Sequence, residues 1–299
     1  MKRAGAVKRV TARRARTTMH ASRMRLDAHQ HFWRYDRAQY PWIGAHMQIL
    51  ARDWLPRDLA GELARTKMDG CIAVQARASL AENELLLGFA REHAYVRGIV
   101  GWVDLCAKDV ADVLAPLAQD PLFVGVRHLV QDEPDDQFVL RADFQRGLAM
   151  LAGLDLAFDL LTHPRHLPAA IALVEGFPEQ RFVVDHLSKP DVKRGTLDPW
   201  RAELRLLAES PHVACKLSGL VTEADWHAWQ PADCRPYLDH AYEVFGEDRV
   251  MFGSDWPVCL LAADYARVHA LVDDWAAALS ERAREKLFGG NAARFYGIA

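Results

Sequence analysis

The chain has 299 residues, 51% hydrophobic and 26% charged, with a formal net charge of −3. That is the profile of a globular protein long enough for one large domain, and no run of eighteen apolar residues suggests a membrane-spanning helix. Nine of the 37 Lys and Arg fall within residues 1–25 and none of the 40 acids does, so the remainder is acidic by 12 and poorly suited to nucleic acid.

Residues 1–24 read as a basic, disordered tail, and residues 25–299 as one folded domain. The first predicted strand is 26–31 (LDAHQH), where strand alternation puts Asp27, His29 and His31 on one face. Facing a core, each would need a partner; facing a pocket, two imidazoles at that spacing can grip one ion. Residues 32–52, carrying Trp33, Tyr35, Tyr40 and Trp42, are too long for a simple connection and read as a loop over a barrel mouth. Further strands are predicted at 70–75, 97–104, 123–130, 157–163, 181–187, 213–219 and 249–255. Between them lie segments with apolar residues at three- and four-residue spacing, such as LPRDLAGELARTKM and DYARVHALVDDWAAAL.

Eight strand–helix units at roughly thirty residues each predict an α/β fold of the (β/α)8, or TIM-barrel, type. No G-x-G-x-x-G follows the first strand, which argues against a dinucleotide-binding sheet. The five cysteines are scattered, with no C-x-x-C pair, as expected for reduced thiols in a cytoplasmic protein.

In such a barrel the carboxyl ends of the strands meet at one face. Here those ends carry His29 and His31, Arg127 and His128, His163, Asp185 and His186, Lys216, and Asp255. Their convergence predicts a shared site. By alternation His128 faces away from Arg127 and packs between strand and helix, and Asp185 faces away from the barrel interior. Arg127 also has the alternative of pairing with Asp159 or Asp185. Asn291 is expected to cap the final helix. His93, His212, His227, His240 and His269 are expected on the surface.

His29-Gln30-His31, His163 at the end of strand five, VVDHLSKP at 183–190, MFGSDWPV at 251–258 and FGGNAARFYGI at 288–298 resemble the amidohydrolase superfamily. Within it they are most similar to the branch of sugar-acid and aromatic-acid lactonases. The resemblance runs from about residue 25 to the end. It implies hydrolysis of a lactone ring, with Asp255 as general base and His29, His31, His186 and Arg127 polarising the carbonyl. Carriers of two metals in the superfamily usually bridge them with a carboxylated lysine on strand four; here strand four has Arg127 and no lysine, which argues against a binuclear centre. One divalent ion, zinc foremost, is expected on His29, His31, His186 and Asp255, with metal-free hydrolysis as the other route. His163, Trp33 and Trp256 are candidate substrate contacts, the indoles as flat walls for the C–H faces of a sugar ring. The expected partner is a small lactone of the L-fucono, L-rhamnono or L-galactono type, degraded in carbohydrate catabolism. A pyrone-dicarboxylate lactonase or a decarboxylase of the same superfamily is the alternative. Self-association is left open.

Overall fold

The computed structural model describes residues 24–298, so the basic tail lies almost wholly outside the described residues. Eight parallel strands follow one another around the sheet in chain order. They are β1 (Leu26–Gln30), β2 (Gly70–Val74), β3 (Val96–Gly101), β4 (Phe123–His128), β5 (Ala157–Leu160), β6 (Phe182–Val184), β7 (Val213–Leu217) and β8 (Val250–Phe252). Each is followed by a helix: α1 (Pro56–Thr66), α2 (Leu80–Glu92), α3 (Val110–Leu117), α4 (Ala142–Gly153), α5 (Leu167–Gly176), α6 (Trp200–Ala208), α7 (Pro231–Phe245) and α8 (Tyr265–Trp275). The chain ends in α9 (Asn291–Tyr296). The ring closes just beyond the regular strands. Gln30 bridges Trp256, His31 N donates to Trp256 O (2.7 Å), and Asp255 N donates to His29 O (2.8 Å).

The helix starts follow from local chemistry. Pro56 opens α1 while Asp58 reaches back to accept from Leu55 N (2.8 Å). Pro231 and Asp233 do the same for α7, and Asp264 caps α8 by accepting from Arg267 N.

Burial divides into two layers. One cluster holds apolar residues from every strand: Leu26, Ala28, Ile72, Val74, Val100, Val124, Ala157, Val183, Ala214 and Met251. It is the packed floor of the lumen, and Ala292, Ala293 and Tyr296 of α9 join it. The larger cluster lies between strands and helices. Asn291 does not cap α9, which begins after Gly290. Its amide instead donates to the carbonyls of Glu247 and Val250 (2.9 and 2.7 Å), clamping the entry to β8. His240 and His269 are buried, contrary to a surface placement. His240 Nε2 donates to Arg201 O, and His269 Nε2 accepts from Arg25.

One irregularity in β1 positions the site. Asp27 pairs with Cys71 but Gln30 with Ala73, so β1 takes three steps where β2 takes two. The bulge breaks the period-two rule. Leu26 and Ala28 join the lumen floor, yet His29 also turns inward. Asp27 therefore does not share the face of His29 and His31. Its Oδ1 accepts from the backbone N–H of His29 (3.1 Å) and Ser254 (2.9 Å), bracing the bulge and tying β8 to β1.

Candidate active site

The predicted strand-end residues His29, His31, Arg127, His186 and Asp255 come together above the lumen floor, all buried. Asp255 Oδ1 is the focus: His31 Nε2 lies 3.3 Å away, His186 Nε2 3.8 Å and His29 Nε2 3.9 Å. The His29 and His186 rings are 4.4 Å apart between centroids.

Each imidazole is held by its other nitrogen. His31 Nδ1 lies 2.7 Å from Val74 O. A carbonyl only accepts, so Nδ1 carries a proton, and Nε2 is the nitrogen that faces the Asp255 carboxylate. His186 Nδ1 bonds Ser218 Oγ (2.8 Å), and His29 Nδ1 meets Asp185 Oδ1 (3.2 Å). Burial lowers the His186 pKa to about 4 and pushes His29 well below its ordinary value. For Asp255, burial opposes the charge. The surrounding His186, His31 and His29 more than offset it and hold the carboxyl below the usual carboxylate range.

Three imidazole nitrogens gathered about one carboxylate oxygen make a donor set that a single cation can share. Zn–N bonds of about 2.0–2.1 Å in tetrahedral geometry put ligand atoms roughly 3.3 Å apart, close to the spacings around Asp255. His29, His186 and Asp255 have ligand atoms close enough to share one ion, with His31 adjoining. The donor set thus fits a single zinc, each imidazole braced from behind as metal-bound histidines usually are.

Below this layer lies a second group, in which Arg127 makes the expected pairing with Asp185 and to which Asp159 and Tyr296 are added. Lys216 Nζ, fully buried, contacts Asp159 Oδ2 (2.5 Å), Asp185 Oδ1 (3.0 Å) and His29 Nδ1 (3.1 Å). Asp159 also accepts from the Tyr296 hydroxyl of α9 (2.9 Å). Arg127 bonds Asp185 Oδ2 (3.0 Å) and Gln75 O, with its NH1 3.3 Å from His29 Nε2. Asp185 is therefore an inward residue, correcting its expected outward placement. Regular β6 ends at Val184, and His186, Leu187, Ser188 and Lys189 all have φ between 51° and 58°. Alternation stops where the strand stops, so both Asp185 and His186 reach the lumen.

A run of four non-glycine residues in the left-handed region costs roughly 1–2 kcal/mol per residue and persists only where surroundings enforce it. Trp200 Nε1 donates to Leu187 O (2.6 Å), Ser188 Oγ bonds Thr162 Oγ1 (2.8 Å), and Lys189 N donates to His186 O (2.7 Å). Two glycines make room for the rings. A Cβ on Gly219 would lie 2.6 Å from the His186 ring, and one on Gly253 would lie 2.7 Å from His29 Cβ. Gly253→Ala is expected to displace His29 and cut kcat about 10²-fold, the usual cost of an ångström-scale misplacement. Steady-state kinetics beside an unchanged circular dichroism spectrum checks this.

The site opens into a cavity of about 280 Å³, at the small end of ligand pockets and of a size for a single-ring ligand. Its walls include His31, Arg127, His186 and Asp255, together with Trp42, Met47 and Trp226. Trp42 and Met47 confirm residues 32–52 as a covering segment. Trp33 and Trp256 do not line the cavity. Both are buried, Trp33 packing on Tyr40 and Trp42, Trp256 on Phe32 and Trp54. Their large apolar area is worth more in the core than at a wet wall. His163 is half-buried at the start of the turn before α5, where its backbone N–H donates to His166 Nδ1, and it is not among the lining residues. His128 stacks on Phe138 and bonds Glu133, packed outside the barrel as expected.

The amidohydrolase family model matches residues 26–298. The chain belongs to the amidohydrolase family. It is 47% identical over 286 residues to an L-fucono-1,5-lactonase of Burkholderia multivorans, covering 92% of this chain and 96% of that one. Among solved structures it is similar to an amidohydrolase from Burkholderia multivorans with bound zinc (46% identity, TM-score 0.90, 92% of this chain and all of that one). A 2-pyrone-4,6-dicarboxylic acid hydrolase from Pseudomonas putida shares the fold (21% identity, TM-score 0.73, 92% of this chain and 98% of that one). In this amidohydrolase the four residues named for the metal are the ones grouped around Asp255 Oδ1.

Proposed function

We propose that the chain hydrolyses a sugar-acid lactone, L-fucono-1,5-lactone or a close relative, to the open hydroxy acid. The observation that carries this reading is the convergence of three imidazoles on Asp255, with Arg127 on the wall of the same cavity. The likeness to an L-fucono-1,5-lactonase over nearly the whole chain supports it.

Asp255 is anionic at neutral pH and faces the cavity. Its Oδ1 takes a proton from water as the water oxygen bonds to the lactone carbonyl carbon. The carbonyl π electrons move onto oxygen, and Arg127, a permanent cation on the cavity wall, faces the resulting oxyanion. Collapse of the tetrahedral adduct breaks the ring C–O bond, and Asp255 returns the proton to the leaving alkoxide. Oxyanion donation falls to Arg127 before His31, whose Nδ1 proton is committed to Val74 O. A divalent ion on His29, His31, His186 and Asp255 would supply Lewis acidity and a more acidic water when bound. Asp185 and Lys216 act from behind by orienting His29.

The substrate is a small molecule, and the described residues include no helix long and apolar enough to cross a membrane. We place the reaction in cytoplasmic carbohydrate catabolism. A panel of L-fucono-, L-rhamnono- and L-galactono-lactones, followed with a pH indicator on protein of known metal content, tests the proposal. Acid release with L-fucono-1,5-lactone is the expected result. Carbon dioxide release from an aromatic acid, with every lactone inert, would replace it with the decarboxylase reading.

A further inference from the structure

The catalytic groups occupy one end of the cavity and leave part of its polar lining unused. Lys189 and Glu223 both line it, their Nζ and Oε1 3.5 Å apart and their side chains 20% and 23% exposed. They reach it from different elements. Lys189 ends the left-handed run after β6, and Glu223 ends the single helical turn Leu220–Glu223 after β7. Lys193 N donates to Glu223 O, and Thr222 Oγ1 donates to Gly219 O, so the turn carrying Glu223 is fastened to its surroundings. Trp226, whose Nε1 donates to Thr222 O, closes the same wall as an apolar plate and stacks on His46. Neither Lys189 nor Glu223 touches the imidazoles or Asp255 closely enough to take part in bond making.

The chemistry of such a pair is specific. An ammonium only donates and a carboxylate only accepts. A hydroxyl does both, so two neighbouring hydroxyls can each bond one member, or one hydroxyl can bridge them. At 3.5 Å the pair is too loose for an ideal salt bridge and leaves both members capacity for further bonds. Desolvation raises the Glu223 carboxyl from its ordinary value, which makes a hydroxyl donor more welcome there than in bulk water.

We propose that Lys189 and Glu223 form a donor–acceptor clamp for ring hydroxyls of the lactone, and that this clamp selects polyhydroxylated over bare lactones. The inference rests on the lactonase reading and adds a specificity element to it. A site built to bond a hydroxyl disfavours the analogue lacking it, because its charged groups then give up water without gaining the hydroxyl's bonds.

The test compares wild type, Glu223→Gln and Lys189→Met on two substrates, L-fucono-1,5-lactone and δ-valerolactone, the latter having the six-membered lactone ring without hydroxyls. Each variant is expected to lose roughly 10- to 150-fold in kcat/KM on the sugar lactone, the worth of one hydrogen bond to a charged group. On δ-valerolactone each stays within about threefold of wild type, a comparison that also reports an intact fold. Calorimetric binding of the product L-fuconate, expected to weaken by a similar factor, gives the same reading without turnover. Equal losses on both substrates, or no loss on either with unchanged L-fuconate affinity, overturns the clamp while leaving the lactonase reading intact. Failure of the wild type to open either ring overturns both.

Discussion

Asp255→Asn is expected to lower kcat for lactone opening by roughly 10²–10⁴-fold, the usual contribution of a positioned general base, while leaving the fold unchanged. The loss follows from the role of Oδ1: an amide oxygen cannot take the water proton and return it to the leaving alkoxide. The preserved fold follows from the backbone. Asp255 has φ 57°, a left-handed conformation in which asparagine is among the better tolerated side chains. The hydrogen bond closing β8 onto β1 at this point comes from Asp255 N, which the substitution keeps. Steady-state kinetics on L-fucono-1,5-lactone, with a thermal melt on the same protein, checks both halves. Turnover within threefold of wild type would remove Asp255 from the proton transfer.

Lys216→Met is expected to destabilise the protein by about 3–5 kcal/mol, the usual cost of removing one partner from a buried ion pair. Lys216 is fully buried and contacts both Asp159 and Asp185. Without the ammonium, two buried carboxylates face each other with only Arg127, Tyr296 and His29 to offset them. Out of a typical total of 5–15 kcal/mol, that loss is a large share. The double variant Asp159→Asn/Lys216→Met removes one charge of each sign and should recover part of the deficit. Urea denaturation of wild type, single and double variants measures it. A single variant as stable as wild type would mean that water already solvates these carboxylates. The same substitution bears on activity, since Lys216 Nζ lies 3.1 Å from His29 Nδ1 and 3.0 Å from Asp185, the carboxylate that meets the same nitrogen. A fall in kcat that the double variant does not restore separates ring positioning from stability.

The lumen network shows where reading along the chain runs out. Asp159 and Lys216 sit one step above Ala157 and Ala214 on the lumen face of otherwise apolar strands. A charge inside an apolar strand is a visible signal. Which opposite charge it meets depends on the sheet order, which sets β5 and β7 on either side of β6 with Asp159 and Lys216 both turned into the lumen. Lys189 and Glu223 lie past the ends of β6 and β7, where neither strand nor helix period applies. Trp33 and Trp256 erred in the other direction. Closeness to a strand end suggested a pocket wall, but Trp33 packs on Tyr40 and Trp42, and Trp256 on Phe32 and Trp54.

From sequence alone, the eight units, their helices and the gathering of His29, His31, Arg127, His186 and Asp255 at one end of the barrel were legible. Hydrophobic period separates strand from helix, and a barrel sends every strand end to the same face. Tertiary structure alone decided which way Asp27, Asp185 and His29 point. The bulge in β1 and the left-handed turn after β6 each break the two-residue alternation, and both are held by contacts from distant parts of the chain: Ser254 to Asp27, and Trp200 and Thr162 to the turn. Side-chain direction follows local pattern only while the backbone stays regular, and this site is built where it does not.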